Sequence, residues 1–174
     1  MHYFSGIYNF NGAKKVSNLN LKKMLFKSGE NEFFLDDNFG VYLNWSRNHN
    51  SILSIPLFAQ SNDCKIAVIF EGRIDNKSEL LNKLLNKDER SECSYAELIL
   101  YLYKSFNLKF LDKLEGSYAF LIWDKEKKEL IIHRDKVGLK PLYYCMQKDA
   151  LIFGTFLESL FKSRLIKKEI NFEW

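Results

Sequence analysis

Two apolar runs set close together constrain this chain more than anything else in it. Gly116-Ser117-Tyr118-Ala119-Phe120-Leu121-Ile122-Trp123-Asp124 and Leu130-Ile131-Ile132-His133-Arg134-Asp135 are rich in aromatic and β-branched residues, and the charged tetrapeptide Lys125-Glu126-Lys127-Lys128 separates them. Such residues fit a pleated, half-buried surface, and a short charged loop between two runs suits a hairpin. Arg134, Asp135, Gly138, Lys140 and Pro141 then shape a tight turn between core strands. Gly138 supplies a backbone angle that other residues resist, and Pro141 stiffens the approach to the next strand. Leu142 to Met146 and Ala150 to Phe153 make a second hairpin around Gln147-Lys148-Asp149.

Upstream, strands come first and helices follow. Tyr3 to Phe10 reads as a strand ending at the turn residues Asn11-Gly12. Residues 13 to 39 are polar and irregular, with one apolar patch at Leu21 to Phe26, while Val41 to Trp45 and Lys65 to Phe70 read as strands. Asn76-Lys77-Ser78-Glu79 has the form of a capping box, in which the cap side chain serves one orphan N–H and the Glu three residues on serves another. Leu80, Leu81, Leu84 and Leu85 follow at helical spacing. Ser94-Tyr95-Ala96-Glu97 repeats the pattern before Leu98, Ile99, Leu102 and Tyr103, and Thr155 with Glu158 is a third box, opening a short helix through Phe161. Strands grouped in hairpins with segregated helices argue an α+β layered fold.

At 174 residues the chain is of one-domain size and long enough to bury a sizeable core. With 47% apolar residues it is globular rather than disordered. The net charge of +4 is a mild excess, and its one local cluster, Lys162, Arg164, Lys167 and Lys168, is too small for a nucleic-acid surface. Neither nucleic acid nor membrane is expected as a partner. Cys64, Cys93 and Cys145 are far apart, with no C-x-x-C pair, which points to reduced thiols and no metal site. No signal pattern and no membrane-length apolar run is present, so a cytoplasmic location is expected. His133-Arg134-Asp135 has the look of a protein-kinase catalytic loop. That reading fails, because Lys140 stands where an Asn is required and there is neither a Gly-rich loop nor D-F-G.

The stretch from Gly116 to Tyr144 resembles the signature G-x-x-A-F-x-I-W-D … R-D-R-x-G-x-K-P-L-Y-Y of the N-terminal domain of asparagine synthetases. That domain is a class II glutamine amidotransferase with the N-terminal-nucleophile hydrolase fold. The resemblance covers most of the chain, strongest from Leu111 to Leu160 and weakest from Asn11 to Phe39. It implies a four-layer αββα sandwich of two mainly antiparallel sheets between helix layers. It also implies a glutaminase-like domain over residues 1–166. Lys167-Lys168-Glu169-Ile170-Asn171 resembles the crossing into the synthetase domain, so residues 167–174 are expected to begin a linker to a synthetase partner outside this chain. Without that partner, Phe172 and Trp174 are expected to drive self-association or to fold back on the body.

The family's chemistry maps onto this sequence position by position. Active members begin Met-Cys-Gly-Ile; the exposed cysteine attacks glutamine, and its own α-amine is the base. The matching stretch here is Phe4-Ser5-Gly6-Ile7, so Ser5 stands at the nucleophile position without a free amine. The oxyanion-hole segment Asn-Gly-Glu-Ile-Tyr-Asn is matched by Glu71-Gly72-Arg73-Ile74-Asp75-Asn76. Glu71 replaces an amide donor with a group that only accepts hydrogen bonds; losing one such donor costs roughly 2.7–4 kcal/mol of transition-state stabilisation. Glu71 and Arg73, two apart on a strand, are expected to share a face and can pair. In Ser-Asp-x-Glu the Asp holds the substrate α-amine; here Tyr95 takes its place, while Ser94 and Glu97 survive and serve the capping box. An Arg in His-x-Arg-Leu binds the substrate carboxylate, and Trp45-Ser46-Arg47-Asn48 puts Arg47 there. Arg47, Glu71, Gly72, Arg73 and Tyr95 are thus the vestigial pocket positions, and no catalytic set is intact.

The resemblance implies the amidotransferase-like domain of an ATP-dependent, amide-forming enzyme that lacks glutaminase activity and keeps a structural or docking role. β-Lactam synthetases and lasso-peptide cyclases keep such a domain beside a working adenylating domain. No cofactor is expected in this chain: ATP and Mg2+ would belong to the synthetase domain, whose S-G-G-x-D-S motif does not occur here. Two alternatives remain open. One is an active hydrolase using Ser5 after removal of residues 1–4; the other is a stand-alone interaction module.

Overall fold

A computed structural model describes residues 3–10, 15–25, 30–45, 57–84, 93–167 and 169. Among these, the elements run β1 (Tyr3–Asn9), α1 (Asn18–Lys23), β2 (Glu30–Leu35), β3 (Phe39–Trp45), β4 (Leu57–Gln60), β5 (Ile66–Ile74), α2 (Lys77–Leu84), α3 (Tyr95–Phe106), the 3-10 helix Asn107–Lys113, β6 (Gly116–Asp124), β7 (Glu129–Arg134), β8 (Tyr143–Met146), β9 (Ala150–Gly154) and α4 (Leu157–Lys162). They form two compact units, Met1–Ser54 with Leu142–Trp174, and Ile55–Pro141. No helix among the described residues is long and apolar enough to cross a membrane.

The first unit is a five-stranded sheet in the order β2-β3-β1-β9-β8, antiparallel throughout. Its core joins Ile7, Tyr42 and Ile152 of the sheet to Leu21 of α1, Met24 just past it and Leu160 of α4. The α1 helix is capped by Ser17, whose side chain accepts from the Asn20 N–H. The sequence between residues 13 and 39 reads as irregular, yet it holds both α1 and β2. One six-residue helix is too short for a periodic signal, and β2 runs through the polar residues Glu30, Asn31 and Glu32 to its apolar end without the alternation of a half-buried strand, while its charges suit a sheet edge.

The second unit is a four-stranded antiparallel sheet, β4-β5-β6-β7. The helices α2 and α3 bury Leu80, Leu81, Leu98, Ile99 and Leu102 in one core with Val68, Phe70, Phe120 and Ile122. The α3 capping box forms as the sequence predicts: the Glu97 N–H donates to Ser94 Oγ at 3.2 Å and the Ser94 N–H to the Glu97 carboxylate at 2.6 Å. The box at Asn76 does not form. The Asn76 amide instead donates to the Lys113 carbonyl at 2.8 Å and accepts from the Glu115 N–H at 3.2 Å, while Glu79 pairs with Lys83. A side chain that reaches two backbone groups ahead of β6 is better used there than on its own helix. The hairpins β6–β7 and β8–β9 form as expected, but in different sheets: β7 ends one unit's sheet and β8 edges the other's.

Candidate functional site

Ser5, at the nucleophile position, is built into the middle of a sheet. Its backbone pairs with Tyr42 on β3 and Gly154 on β9, and it is fully buried. Its hydroxyl lies 2.8 Å from the Phe4 carbonyl and in hydrogen-bond contact with Ser159 Oγ of α4. Ser159 Oγ also reaches the Phe156 carbonyl at 2.6 Å, and between the two hydroxyls either can be the donor. A carbonyl and a second hydroxyl are poor bases; this arrangement holds the Ser5 proton rather than removing it. Beside the pair, the Tyr42 phenol donates to the Met24 carbonyl at 2.6 Å, and its pKa is pushed up, first by burial and then by the neighbouring Tyr3.

The residues before Ser5 are equally committed. The Phe4 N–H donates to Thr155 Oγ1 at 3.1 Å and the Phe4 carbonyl accepts from the Thr155 N–H at 2.9 Å. The Tyr3 ring meets Tyr42 edge-on at 5.7 Å and Phe156 at 5.2 Å. The third expected capping box fails here. Thr155 is spent on β1, the residue before α4 is Phe156 with no side-chain cap bond, and Glu158 lies 3.9 Å from Lys162.

The other described candidate positions belong to the second unit. Glu71, Gly72 and Arg73 near the end of β5 face Ala119, Tyr118 and Ser117 on β6. Gly72 has φ +118° and pairs with Tyr118; Gly116, two residues earlier on the facing strand, has φ +145°. A side chain is strongly disfavoured at such angles, and a Cβ at either would strike a carbonyl of the opposite strand at 2.2 Å. This turn of the backbone corrects the expected Glu71–Arg73 pairing. Glu71 is buried with its carboxylate 3.0 Å from Lys140 Nζ, whereas Arg73 is exposed and pairs with Asp75 at 2.5 Å. Glu71 thus meets a cation instead of standing as a bare charge.

Lys140 reaches Glu71 from a turn organised by Asp135. That buried carboxylate accepts from the N–H groups of Leu139 at 2.9 Å, Lys140 at 3.0 Å and Tyr118 at 3.3 Å, and Gly138 makes the bend at φ +74°. Burial works to raise the Asp135 pKa, but the Lys140, Leu139, Tyr118 and Gly138 N–H groups outweigh it and hold the carboxyl below its ordinary value. The signature turn is therefore structural, as the sequence suggests. Tyr95 opens α3 with its ring 5.2 Å from Phe70 and the Lys77 ammonium 5.1 Å over its face, Lys77 also donating to the Cys93 carbonyl. Where the resemblance implies a carboxylate for a substrate amine, this ring holds the chain's own ammonium by a cation–π contact.

Among the candidates, Glu71, Gly72, Arg73 and Tyr95 lie in one unit and Ser5 in the other. Arg47 lies outside the described residues, as do Phe172 and Trp174. Sequence reasoning missed Ser159, Lys140 and Lys77 as the partners of Ser5, Glu71 and Tyr95. Each is remote in sequence from its partner; Lys77 and Lys140 stand in motif stretches, but nothing there points to Tyr95 or Glu71.

The glutamine amidotransferase domain model matches residues 54–162. The chain is 34% identical over 111 residues to glutamine-hydrolysing asparagine synthetase 2 of Bacillus subtilis, an alignment covering 64% of this chain and 15% of that protein. It is 31% identical over 138 residues to glutamine-hydrolysing asparagine synthetase 1 of Arabidopsis thaliana, covering 75% of this chain and 22% of that one. The chain thus spans less than a quarter of the length of either relative. Among solved structures, the glutamine phosphoribosylpyrophosphate amidotransferase of B. subtilis, complexed with ADP and GMP, superposes with a TM-score of 0.67 at 18% identity, over 94% of this chain and 44% of that one. At that identity the likeness shows the fold alone, the α+β N-terminal-nucleophile hydrolase fold expected from the sequence.

Proposed function

Because this chain belongs to the glutamine amidotransferase domain family and is homologous to asparagine synthetases, we propose that it is the amidotransferase-like domain of a cytoplasmic, ATP-dependent amide-forming enzyme. In this reading it no longer hydrolyses glutamine and serves as a structural or docking domain beside a synthetase domain. ATP and Mg2+ act in that second domain, outside residues 1–174.

The observation that carries the reading is the setting of Ser5. A nucleophile of this class needs a chain-terminal position, a free amine and an exposed side chain. Ser5 has strand partners on both sides, a buried hydroxyl and a proton shared between the Phe4 carbonyl and Ser159. The same setting speaks against an active enzyme made by removing residues 1–4. Cleavage there would strip buried Tyr3 and Phe4 from the ladder, and burying one such side chain is worth about 1.5–3 kcal/mol. Glu71 offering no donor and Tyr95 offering no carboxylate add support.

The test is glutamate release from glutamine by the purified chain, with its intact mass measured alongside. The expected result is no turnover and an uncleaved N-terminus beyond removal of Met1. Turnover near the ordinary enzyme range of about 1 per second, lost in Ser5→Ala, would overturn the proposal in favour of a serine nucleophile.

A further inference from the structure

The second unit carries a small apolar pocket that the amidotransferase reading does not use. Leu80 of α2, Leu102 of α3 and Phe110 of the 3-10 helix form its walls, and it encloses about 130 Å3. A dry cavity of about 150 Å3 lined by Leu, Ile and Phe takes a benzene ring, so this one has room for one phenyl or branched aliphatic group. At its mouth Phe106 is 42% exposed, a large ring left half in water.

Three lysines line this apolar opening: Lys83 on α2, and Lys109 and Lys113 four residues apart on the 3-10 helix. Lys83 also pairs with Glu79 at 2.7 Å, and Lys113 lies 5.9 Å over the Phe106 ring. The charges come from two separate elements. Cations spread along a mouth suit several carboxylates on an extended chain better than one compact anion, and their stems add apolar surface to the rim.

We propose that this pocket is a docking socket for an acidic peptide segment that inserts one large apolar side chain, Phe or Leu, between Leu80, Leu102 and Phe110. The apolar anchor gives affinity, because its burial also covers Phe106. The lysines give selection, because they attract carboxylates on either side of the anchor and repel basic segments. This is a surface for protein recognition on the α2–α3 side of the second unit, and it stands whether or not the chain hydrolyses glutamine.

The test is fluorescence anisotropy with a labelled short peptide of Asp and Glu carrying one central Phe, titrated with the purified 174-residue chain. Saturable binding is expected, weakened at least tenfold when the central Phe is replaced by Ser. It should weaken at least tenfold in the doubly substituted Lys109→Glu, Lys113→Glu protein and severalfold in Lys83→Glu, on the other wall. All three lysines are exposed, so these variants should keep the fold, which their circular dichroism and melting midpoints will check. A Lys-rich peptide with the same central Phe should not bind. Equal affinity for the Ser peptide, undiminished binding by the charge-reversed proteins, or no saturation at millimolar protein would each overturn the proposal.

Discussion

Asp135 and Ser5 are both buried polar residues in motif stretches, and they are satisfied in opposite ways. Asp135 stays charged, and its donors are backbone N–H groups of its own turn plus Tyr118 on the adjoining strand. Ser5 stays neutral, and its side-chain partner lies 154 residues away on α4. The first is a local device: the turn and the carboxylate specify each other, so the motif is readable in one short stretch. The second is a clasp between chain ends that exists only once β1 has found β9 and α4 has packed. A buried hydroxyl can thus tie remote segments together, and the distance to its partner decides whether a sequence betrays it.

The largest effect should come from breaking the local device. Asp135→Ala strips the acceptor from one buried and two part-buried N–H groups, and we expect a loss of about 3 kcal/mol in urea unfolding. A loss below about 1 kcal/mol would mean that the turn holds without its carboxylate. The acid limb of the stability profile should change too. The folded Asp135 pKa lies below its ordinary 3.8, so its stabilisation is complete above that value and fades as pH falls through it toward the folded pKa. Asp135→Ala should therefore be less acid-sensitive than the parent.

The clasp should cost less and show coupling. Ser5→Ala and Ser159→Ala are each expected to lose about 1 kcal/mol. The double variant should fall short of their sum by at least about 0.5 kcal/mol, because both remove one shared hydrogen bond. Additivity within about 0.3 kcal/mol would show that the hydroxyls are merely neighbours.

The smallest effect separates burial from charge on β7. His133 lies against Phe120 at 5.2 Å, and burial is the main cause holding its pKa below 6.5. The unfolded chain then binds a proton that the folded one does not, so stability falls as pH drops from 6.5 toward the folded value. His133→Phe should flatten the fall in melting temperature between pH 7.5 and 5.5, while Asp135→Ala, which removes a charge that favours the imidazolium, should steepen it slightly. Identical slopes in parent and His133→Phe would remove this residue from the account.

Local signals in the sequence hold where the same residues have no remote group to serve. The two hairpins, the Ser94–Glu97 box and the Asp135 turn all rest on neighbours within a few residues. The failures share one cause. Asn76 and Thr155 look like helix caps, but each has a remote backbone group to satisfy, at Lys113 and Glu115 for one and at Phe4 for the other. Glu71 and Arg73 look like a pair, but the positive φ at Gly72 and the distant Lys140 separate them. Short elements without period, α1, β2 and β4, escaped for want of length.

The facing glycines near the ends of β5 and β6 bear on how a lineage can drift. A side chain at Gly72 would run into the Ser117 carbonyl and one at Gly116 into the Arg73 carbonyl, so substitution at either forces the two strands apart. Glu71 and Arg73 are under no such restraint from the backbone; their side chains leave the ladder and pair with Lys140 and Asp75. Mutation can therefore rewrite the chemistry at this strand end while the path of the main chain stays fixed.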